Sequence, residues 1–268
     1  MFLADPPPNP WDLRFQIIGT PVRITPWFWL GSALLGWSWA RDIGNIPQYN
    51  MSVGAALLMW IAVVLVSILV HEFGHAMAFR LFGIHSHIVL YQFGGFAAPY
   101  SASSFGRQIR LSPKQHIVVS AAGPAASLAL GFGVAAFFYL RGYFVPNPLP
   151  FIQQLDFLQT GHRLPAFKVL ALLDAILFVN IGWAIMNLLP VYPLDGGQIS
   201  REVFILTTRD GIRYSLILSI VAAGAVALWA LSQQNMYLGI MFGMLAFSSY
   251  QIMQAYFGRG GGFGGGQW

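Results

Sequence analysis

One short pattern in the chain has residue types and spacing that suit metal chemistry: His71, Glu72 and His75, written HExxH. On a helix, residues four apart lie one turn above each other on the same face. Two imidazoles placed in this way can bind one zinc ion, with the glutamate beside the water that the ion activates. The ion lowers the pKa of that water towards about 7, and a carboxylate can then take its proton. The pattern therefore predicts one Zn²⁺ per chain, bound by His71 and His75, with Glu72 as the general base.

The surrounding sequence favours a functional site over a solvent-exposed polar face of a helix. The pattern lies near the end of a long apolar segment, residues 51–82. Glutamate and histidine are costly at membrane depth, and ionisable residues there are functional candidates by default. We therefore expect the zinc site to lie within a membrane.

The composition of the chain also indicates a membrane protein. Of the 268 residues, 56% are hydrophobic and only 9% are charged, and the mean hydropathy is +0.62. A soluble domain usually carries about 25% charged residues. No Lys/Arg run of the nucleic-acid-binding kind occurs, so the expected surroundings are a lipid bilayer and not nucleic acid. The lack of cysteine excludes disulfides and thiolate metal sites.

Apolar segments long enough to cross a bilayer predict an all-α polytopic membrane protein with about six transmembrane helices. A small β-strand or hairpin element is expected after the zinc-binding helix, at residues 87–96, where β-type residues end in paired glycines. The six predicted spans cover roughly residues 24–40, 51–82, 117–140, 168–189, 213–232 and 236–257.

These spans divide the chain into a cytoplasmic N-terminal segment (1–23), a transmembrane domain (24–257, core 51–200) and a flexible Gly-rich tail (258–268). If the N-terminus lies inside, ten of the 14 Lys and Arg residues fall on the inner side, as is typical of cytoplasmic loops. We therefore expect a multi-pass protein of a prokaryotic inner membrane. Both termini and the active-site end are expected in the cytoplasm.

A catalytic zinc site of this kind needs a third protein ligand. A third histidine ten positions after His71 is ruled out, because that position is Leu81. The second and fourth spans both run inward in the predicted topology. Asp195 follows the inner end of the fourth span, whereas Asp174 lies near its outer end. Topology therefore favours Asp195 as the third ligand.

Other interpretations stay open at this point. Glu202, the only glutamate besides Glu72, would be the third ligand in a different type of membrane zinc protease. His85 and His87 follow the zinc helix, beyond Gly83, and are a minor alternative. A non-proteolytic metal carrier or transporter is also possible, although the polar residues concentrate in two motifs instead of lining a route across the bilayer.

Four sequence stretches together resemble one known family. HEFGH (71–75) and NLLPVYPLDGG (187–197) lie in this order on separate apolar segments. YQFGGFAAP (91–99) and SAAGPAASL (120–128) accompany them. The combination resembles the site-2 proteases, which are intramembrane zinc metallopeptidases, over roughly residues 51–200.

The resemblance implies a zinc-dependent metalloendopeptidase that cuts peptide bonds in or near the transmembrane segments of other membrane proteins. It matches His71, His75 and Asp195 to the family's zinc ligands, and Glu72 to its general base. The implied partners are transmembrane substrates in a lipid bilayer, and a separate regulatory partner is a possible source of substrate selection.

Four further residues are candidates for substrate binding. The resemblance matches Asn187 to an asparagine that holds substrate or stabilises the oxyanion; alternatively, Asn187 caps a helix end, since asparagine favours local backbone bonds. Phe93, Gly94 and Gly95 lie in the expected strand element, which could pair with an unwound substrate by strand addition. The alternative for that element is a re-entrant loop with no substrate role.

Prolines and small residues predict how the backbone is arranged near these motifs. Pro190 and Pro193 are expected to end the fourth span, because proline lacks an amide donor. Gly196 and Gly197 are expected to allow a sharp turn that presents Asp195. A separate group of small residues is expected to allow close helix packing rather than to take part in chemistry: Gly123, Ala125, Ala126 and Ser127.

Overall fold

The structure, a computed structural model, describes residues 7–92, 94–99, 111–147, 161–162, 164 and 166–257. The strands are β1 (Leu13–Ile17), β2 (Thr20–Ile24), β3 (Ser86–Tyr91) and β4 (Gly94–Pro99). The helices are α1 (Pro26–Asn45), α2 (Val53–Leu81), α3 (Pro113–Leu140), α4 (Phe167–Leu177), α5 (Trp183–Asn187), α6 (Asp195–Thr207), α7 (Gly211–Ser232) and α8 (Met236–Phe257). A π-helical segment, Phe178–Gly182, lies between α4 and α5.

Among the described residues, five helices are long and apolar enough to cross a membrane: α2, α3, the run from α4 through α5, α7 and α8. Together with the small sheet they confirm the expected fold class. The first expected span forms the 20-residue helix α1, which is not among the five. Its four tryptophans make it less apolar than the other long helices, and tryptophan prefers the membrane interface to the hydrocarbon core.

The described residues form two compact units. One unit takes in the described residues between 7 and 99 and between 122 and 186, and the other takes in residues 111–121 and 187–257. The predicted tail, 258–268, lies outside the residues that the structure describes.

The first unit is built around α2. The side chain of Ser52 caps the start of this helix by accepting a hydrogen bond from the N–H of Ala55 (3.2 Å), which satisfies one of the free amides of the first turn. A β-carbon at Gly36 of α1 would overlap the ring of Trp60 on α2. Glycine at position 36 therefore lets the two helices pack in close contact, and Trp39 also packs on Trp60, with ring centroids 5.3 Å apart.

The sheet of the first unit has the strand order β1-β2-β3-β4. β2 pairs with β3 in parallel, and the other two pairs are antiparallel. β2 and β3 are the two inner strands, and Ile88, Val89 and Leu90 of β3 are fully buried in the core. β4 pairs with β3 on one side only, and among the described residues no strand pairs with its other edge. The β3–β4 hairpin confirms the strand element expected after the zinc-binding helix.

β1 and β2 were not predicted from the sequence. Pro21 lies within β2, and proline within a run of β-type residues argues against a strand because it cannot donate to the ladder. β2 is nevertheless buried between β1 and β3, with Val22 opposite Ile88 in the parallel ladder. Its partner β3 is remote in the sequence, so only tertiary pairing reveals this strand.

The π-helical segment between α4 and α5 carries a buried asparagine. Asn180 is 1% exposed, and its amide Nδ2 donates to Ser67 Oγ on α2 (2.8 Å) and to the carbonyl of Ile176 (2.9 Å). Ser67 lies one helical turn before His71 on the same helix. The irregular segment therefore contacts α2 through a hydrogen bond, one helical turn from the predicted ligand His71.

The second unit contains α6, α7 and α8. α7 and α8 are joined by a short turn, and a β-carbon at Gly239 of α8 would lie 2.6 Å from Leu231 of α7, so glycine permits their close packing. α6 was not predicted, because Gly196 and Gly197 at its start were interpreted as a turn.

Candidate metal centre

His71 and His75 lie one turn apart on α2, and their rings are in contact in a T-shaped arrangement. The two Nε2 atoms are 3.2 Å apart, and the ring planes are inclined by 76°. Two nitrogens that bind one tetrahedral zinc ion at 2.0–2.1 Å are about 3.3 Å apart. The nitrogen pair therefore already has the separation that a single zinc ion requires.

The histidines and the glutamate between them are buried. His71 and Glu72 are each 4% exposed, and His75 is 8% exposed. Buried polar and ionisable groups persist when they are paired or coordinate a metal. Neutral imidazoles offer a lone pair each, which is the donor chemistry that zinc prefers. The donor set on α2 thus fits a zinc ion.

α3 closes over the two imidazoles through a glycine. A β-carbon at Gly123 would overlap Nε2 of His75 and would lie 2.8 Å from Nε2 of His71. Directly before His75 on α2, a β-carbon at Gly74 would overlap the carbonyl of Ala122 on α3. The space beside the two nitrogens therefore exists only because position 123 has no side chain, which agrees with the packing role expected of Gly123.

Ser127 does more than the packing role expected from the sequence. Its Oγ lies 3.2 Å from Nδ1 of His71, and the serine is 2% exposed. When Nε2 of His71 binds a metal, Nδ1 carries the proton and donates a hydrogen bond to this hydroxyl. That bond fixes the tautomer and the orientation of the ring. The one sequence signal was the spacing of Ser127 four residues after Gly123, which places both on one face of α3.

Glu72 lies beside β4. A β-carbon at Gly95 would be 2.9 Å from Oε1 of Glu72 and 2.8 Å from its Cγ, so glycine at this position lets the strand run next to the carboxylate. Gly94 has φ +125°, a conformation that residues with a side chain rarely adopt. Phe93, the third residue expected here, lies outside the described residues.

Asp195 is the first residue of α6 and is 7% exposed. Gly196 and Gly197 do not form the expected turn: they belong to the first turn of α6, and neither has a positive φ. They serve close packing instead. A β-carbon at Gly196 would overlap the carbonyl of Leu188, and one at Gly197 would overlap the carbonyl of Val191. The expected turn was therefore wrong, because the glycines are needed for space and not for backbone conformation.

His71 and His75 lie in the first unit, as do the alternative ligands His85 and His87, whereas Asp195 and the alternative ligand Glu202 lie in the second unit. Glu202 lies within α6 and is 4.0 Å from the guanidinium of Arg201.

Asn187 is the last residue of α5, directly before the segment that carries Pro190 and Pro193. The fourth predicted span therefore ends before the first of these prolines, as expected. This position is compatible with both roles considered for Asn187, substrate binding and capping of the helix end.

Comparison with known proteins finds relatives that are named as zinc metalloproteases. A Synechocystis sp. protein, sll0528, assigned by its name to the zinc metalloproteases, is 28% identical over 226 residues, covering 82% of this chain and 52% of the relative. Rip3 of Mycobacterium tuberculosis H37Rv, with a name of the same class, is 29% identical over 188 residues, covering 67% of this chain and 40% of Rip3. The chain thus spans about half or less of the length of these relatives.

Among solved structures, the site-2 protease from Methanocaldococcus jannaschii is similar, with a TM-score of 0.48 and 23% identity, over 91% of this chain and 95% of that one. The sequence pattern of peptidase family M50 matches residues 59–231, which is more than half of the chain and includes all the predicted zinc ligands. The family match and the five apolar helices identify an integral membrane protein. The resemblance to the site-2 proteases is confirmed, and this chain belongs to peptidase family M50.

Proposed function

We propose that this chain is an intramembrane zinc metalloprotease that hydrolyses peptide bonds in or near the transmembrane segments of other membrane proteins. The observation that carries the proposal is the pair of buried Nε2 atoms of His71 and His75, 3.2 Å apart on a membrane-spanning helix, with Glu72 between them in the sequence. Membership of peptidase family M50 supports the same class of reaction.

In this proposal His71 and His75 bind one Zn²⁺ through Nε2, and Asp195 supplies the third ligand. Bound zinc supplies a Lewis acid, which polarises the substrate carbonyl and makes water a better nucleophile. Ser127 orients His71 through Nδ1. Gly123 leaves the space beside the nitrogens that an ion and a substrate group need.

Glu72 acts as the general base. Its carboxylate accepts a proton from the attacking water and returns it to the leaving amine, so that the group is regenerated in each turnover. The close approach of Gly95 supports this role, because a substrate aligned on β4 would be brought next to the carboxylate.

The proposed substrate site is the edge of β4 that pairs with no other strand among the described residues. An unwound substrate segment would add as a further strand, and its backbone would pair with that of β4 at Gly94 and Gly95, with Phe93 beside them. Strand addition exposes the scissile peptide bond, whereas a helix keeps its carbonyls bonded internally. Asn187 would hold the substrate or stabilise the oxyanion, as the resemblance to the site-2 proteases implies.

The proposed location is a prokaryotic cell membrane, with both termini and the active-site end in the cytoplasm. Both termini lie on one side only if α1 also crosses the membrane. Its packing supports this, because Gly36 lies against Trp60 and Gly44 against Val53, so α1 runs antiparallel to α2. Its exposed face is also apolar, with Trp27, Leu30, Leu34 and Trp37. The two sequence relatives come from the bacteria Synechocystis sp. and Mycobacterium tuberculosis, and a separate protein partner is proposed to help select substrates.

The test uses detergent-purified protein, zinc analysis and a labelled transmembrane peptide substrate. Glu72→Gln should keep one zinc per chain and lose at least about 100-fold in cleavage rate, because the proton acceptor is removed while the ligands stay. The matched control is Glu202→Gln, which changes the only other glutamate, also buried, and should keep both zinc and cleavage.

Cleavage near the wild-type rate in Glu72→Gln would remove Glu72 from the base role. Loss of zinc in Glu202→Gln would instead favour the protease type that uses a glutamate as third ligand. Wild-type zinc content without cleavage of any membrane peptide, in the unmodified chain, would favour a metal carrier.

A further inference from the structure

Two serines on the membrane-spanning helices of the second unit are completely buried. Ser219 of α7 is 1% exposed, Ser249 of α8 is 0% exposed, and their Oγ atoms are 2.8 Å apart. Burial of a hydroxyl is unfavourable unless it is hydrogen-bonded, and an alanine at either position would bury no polar atom. The buried serine pair is therefore a candidate for a role other than packing.

Both serines also bind the backbone of the same residue, Tyr192. The backbone N–H of Tyr192 donates to Ser219 Oγ (2.8 Å), and Ser249 Oγ donates to the carbonyl of Tyr192 at the longer distance of 3.5 Å. Since the Ser249 proton is used for that carbonyl, the proton between the two hydroxyls comes from Ser219. The three residues form a closed ring of hydrogen bonds that ties one residue of the loop to two helices.

The residue held in this way lies three positions before Asp195. The intervening backbone is itself bonded: the N–H of Leu194 donates to Val191 (2.8 Å), and the side chain of Gln198 donates to the carbonyl of Pro193 (3.2 Å). A β-carbon at Gly197 would lie 2.5 Å from the Tyr192 nitrogen, so the first turn of α6 packs against the peptide group that donates to Ser219. A displacement of Tyr192 would therefore be transmitted to Asp195.

We infer that Ser219 and Ser249 are positioning residues that hold the backbone of Tyr192 and thereby set the position of the Asp195 carboxylate. This inference rests on the proposed role of Asp195 as a zinc ligand. It also gives α8 a part in the site, although α8 lies beyond the residues that match the family pattern, 59–231. Partners that orient a metal ligand typically change metal affinity by about 10–100-fold when removed.

The experiment compares Ser219→Ala, Ser249→Ala and the double variant, in the full chain purified in detergent. The matched control is Ser215→Ala: Ser215 lies one turn earlier on α7, is also buried, and donates only to the backbone of its own helix at Ile212. The dissociation constant of Zn²⁺ should rise about tenfold in each single variant and stay unchanged in the control. The double variant should resemble the single ones, because both serines act through the backbone of one residue, Tyr192.

A second measurement does not depend on zinc. Amide hydrogen exchange at Tyr192 should become faster in Ser219→Ala than in the control, since that hydroxyl accepts its N–H. Ser249→Thr and Ser249→Val form a further pair of nearly equal shape that differs in the hydroxyl; only the valine variant should lose zinc affinity. This pair decides the question if the alanine variants do not fold.

Asp195→Ala separates the two possible failures. If Asp195→Ala keeps the wild-type zinc affinity, the proposed ligand role fails, and the exchange rate of the Tyr192 amide alone then tests the serine pair. The other outcome is that Asp195→Ala loses zinc affinity, the alanine and valine variants of the two serines keep it, and the Tyr192 amide stays protected. In that case the positioning role is overturned and the ligand role stands.

Discussion

The two histidines and the aspartate that are proposed as zinc ligands are held in different ways. His71 and His75 lie on one unbroken helix of 29 residues, whose regular hydrogen bonds fix their separation. Asp195 starts a helix after an irregular segment with two prolines, and that segment is tied down by Ser219, Ser249 and close glycine contacts. In the first region a local rule sets the geometry, whereas in the second region contacts between remote residues set it.

This difference teaches where each part of the site is vulnerable. The backbone positions of His71 and His75 cannot move apart without unwinding α2. The histidine site is therefore sensitive mainly to side chains that enter the space beside the two rings. The aspartate depends on a chain of contacts, each of modest strength, so several different substitutions should each weaken it in part. Three substitutions test this contrast, and the expected loss of zinc binding decreases from Gly123→Ala through Gly197→Ala to Ser127→Ala.

The largest effect is expected from Gly123→Ala. The added methyl group would overlap Nε2 of His75 and lie 2.8 Å from Nε2 of His71, so both imidazoles would have to leave the positions in which they can share one ion. Zinc binding should be abolished in isothermal titration of the purified protein. The control is Gly133→Ala on the same helix, where a β-carbon meets nothing within 4 Å. Normal zinc binding in Gly123→Ala would show that the histidine region is more adaptable than its regular helix suggests.

A smaller effect is expected from Gly197→Ala in the aspartate region. The methyl group would overlap the carbonyl of Val191, and overpacking of this kind costs about 1–3 kcal/mol. The loop can shift to relieve the overlap, so zinc affinity should fall by roughly 10–100-fold without being abolished. The matched control is Gly224→Ala on α7, which has open space around its Cα. An effect as complete as that of Gly123→Ala would contradict the contrast between the two regions.

The smallest effect is expected from Ser127→Ala. Nδ1 of His71 would lose its partner, while α2 would still hold the ring in place, so zinc affinity should fall about tenfold. Ser127→Thr keeps the hydroxyl and should restore most of that affinity. Competition with a chelator of known affinity measures both variants. Equal affinities in the alanine and threonine variants would mean that Nδ1 of His71 does not need this hydroxyl.

Much of the architecture followed from apolar segments alone. Five of the expected spans correspond closely to observed helices, because long apolar runs have few stable alternatives in a membrane. α1 was expected as a span and is a helix of the expected position, but it is less apolar than the others. The strands β1 and β2 were missed because each is short and their pairing depends on β3, more than sixty residues later in the sequence.

In the candidate site too, some residues could be predicted from local sequence, whereas others are placed only by tertiary contacts. The sequence by itself determined His71, Glu72 and His75, because helical periodicity brings residues four apart together wherever the helix is placed. Asp195 followed from topology and family resemblance, not from local geometry. Ser127, Gly95 beside Glu72, and the Ser219–Ser249 pair were decided only by the tertiary structure. The physical reason is that each of these contacts joins residues from different elements, and no local pattern encodes which elements will meet.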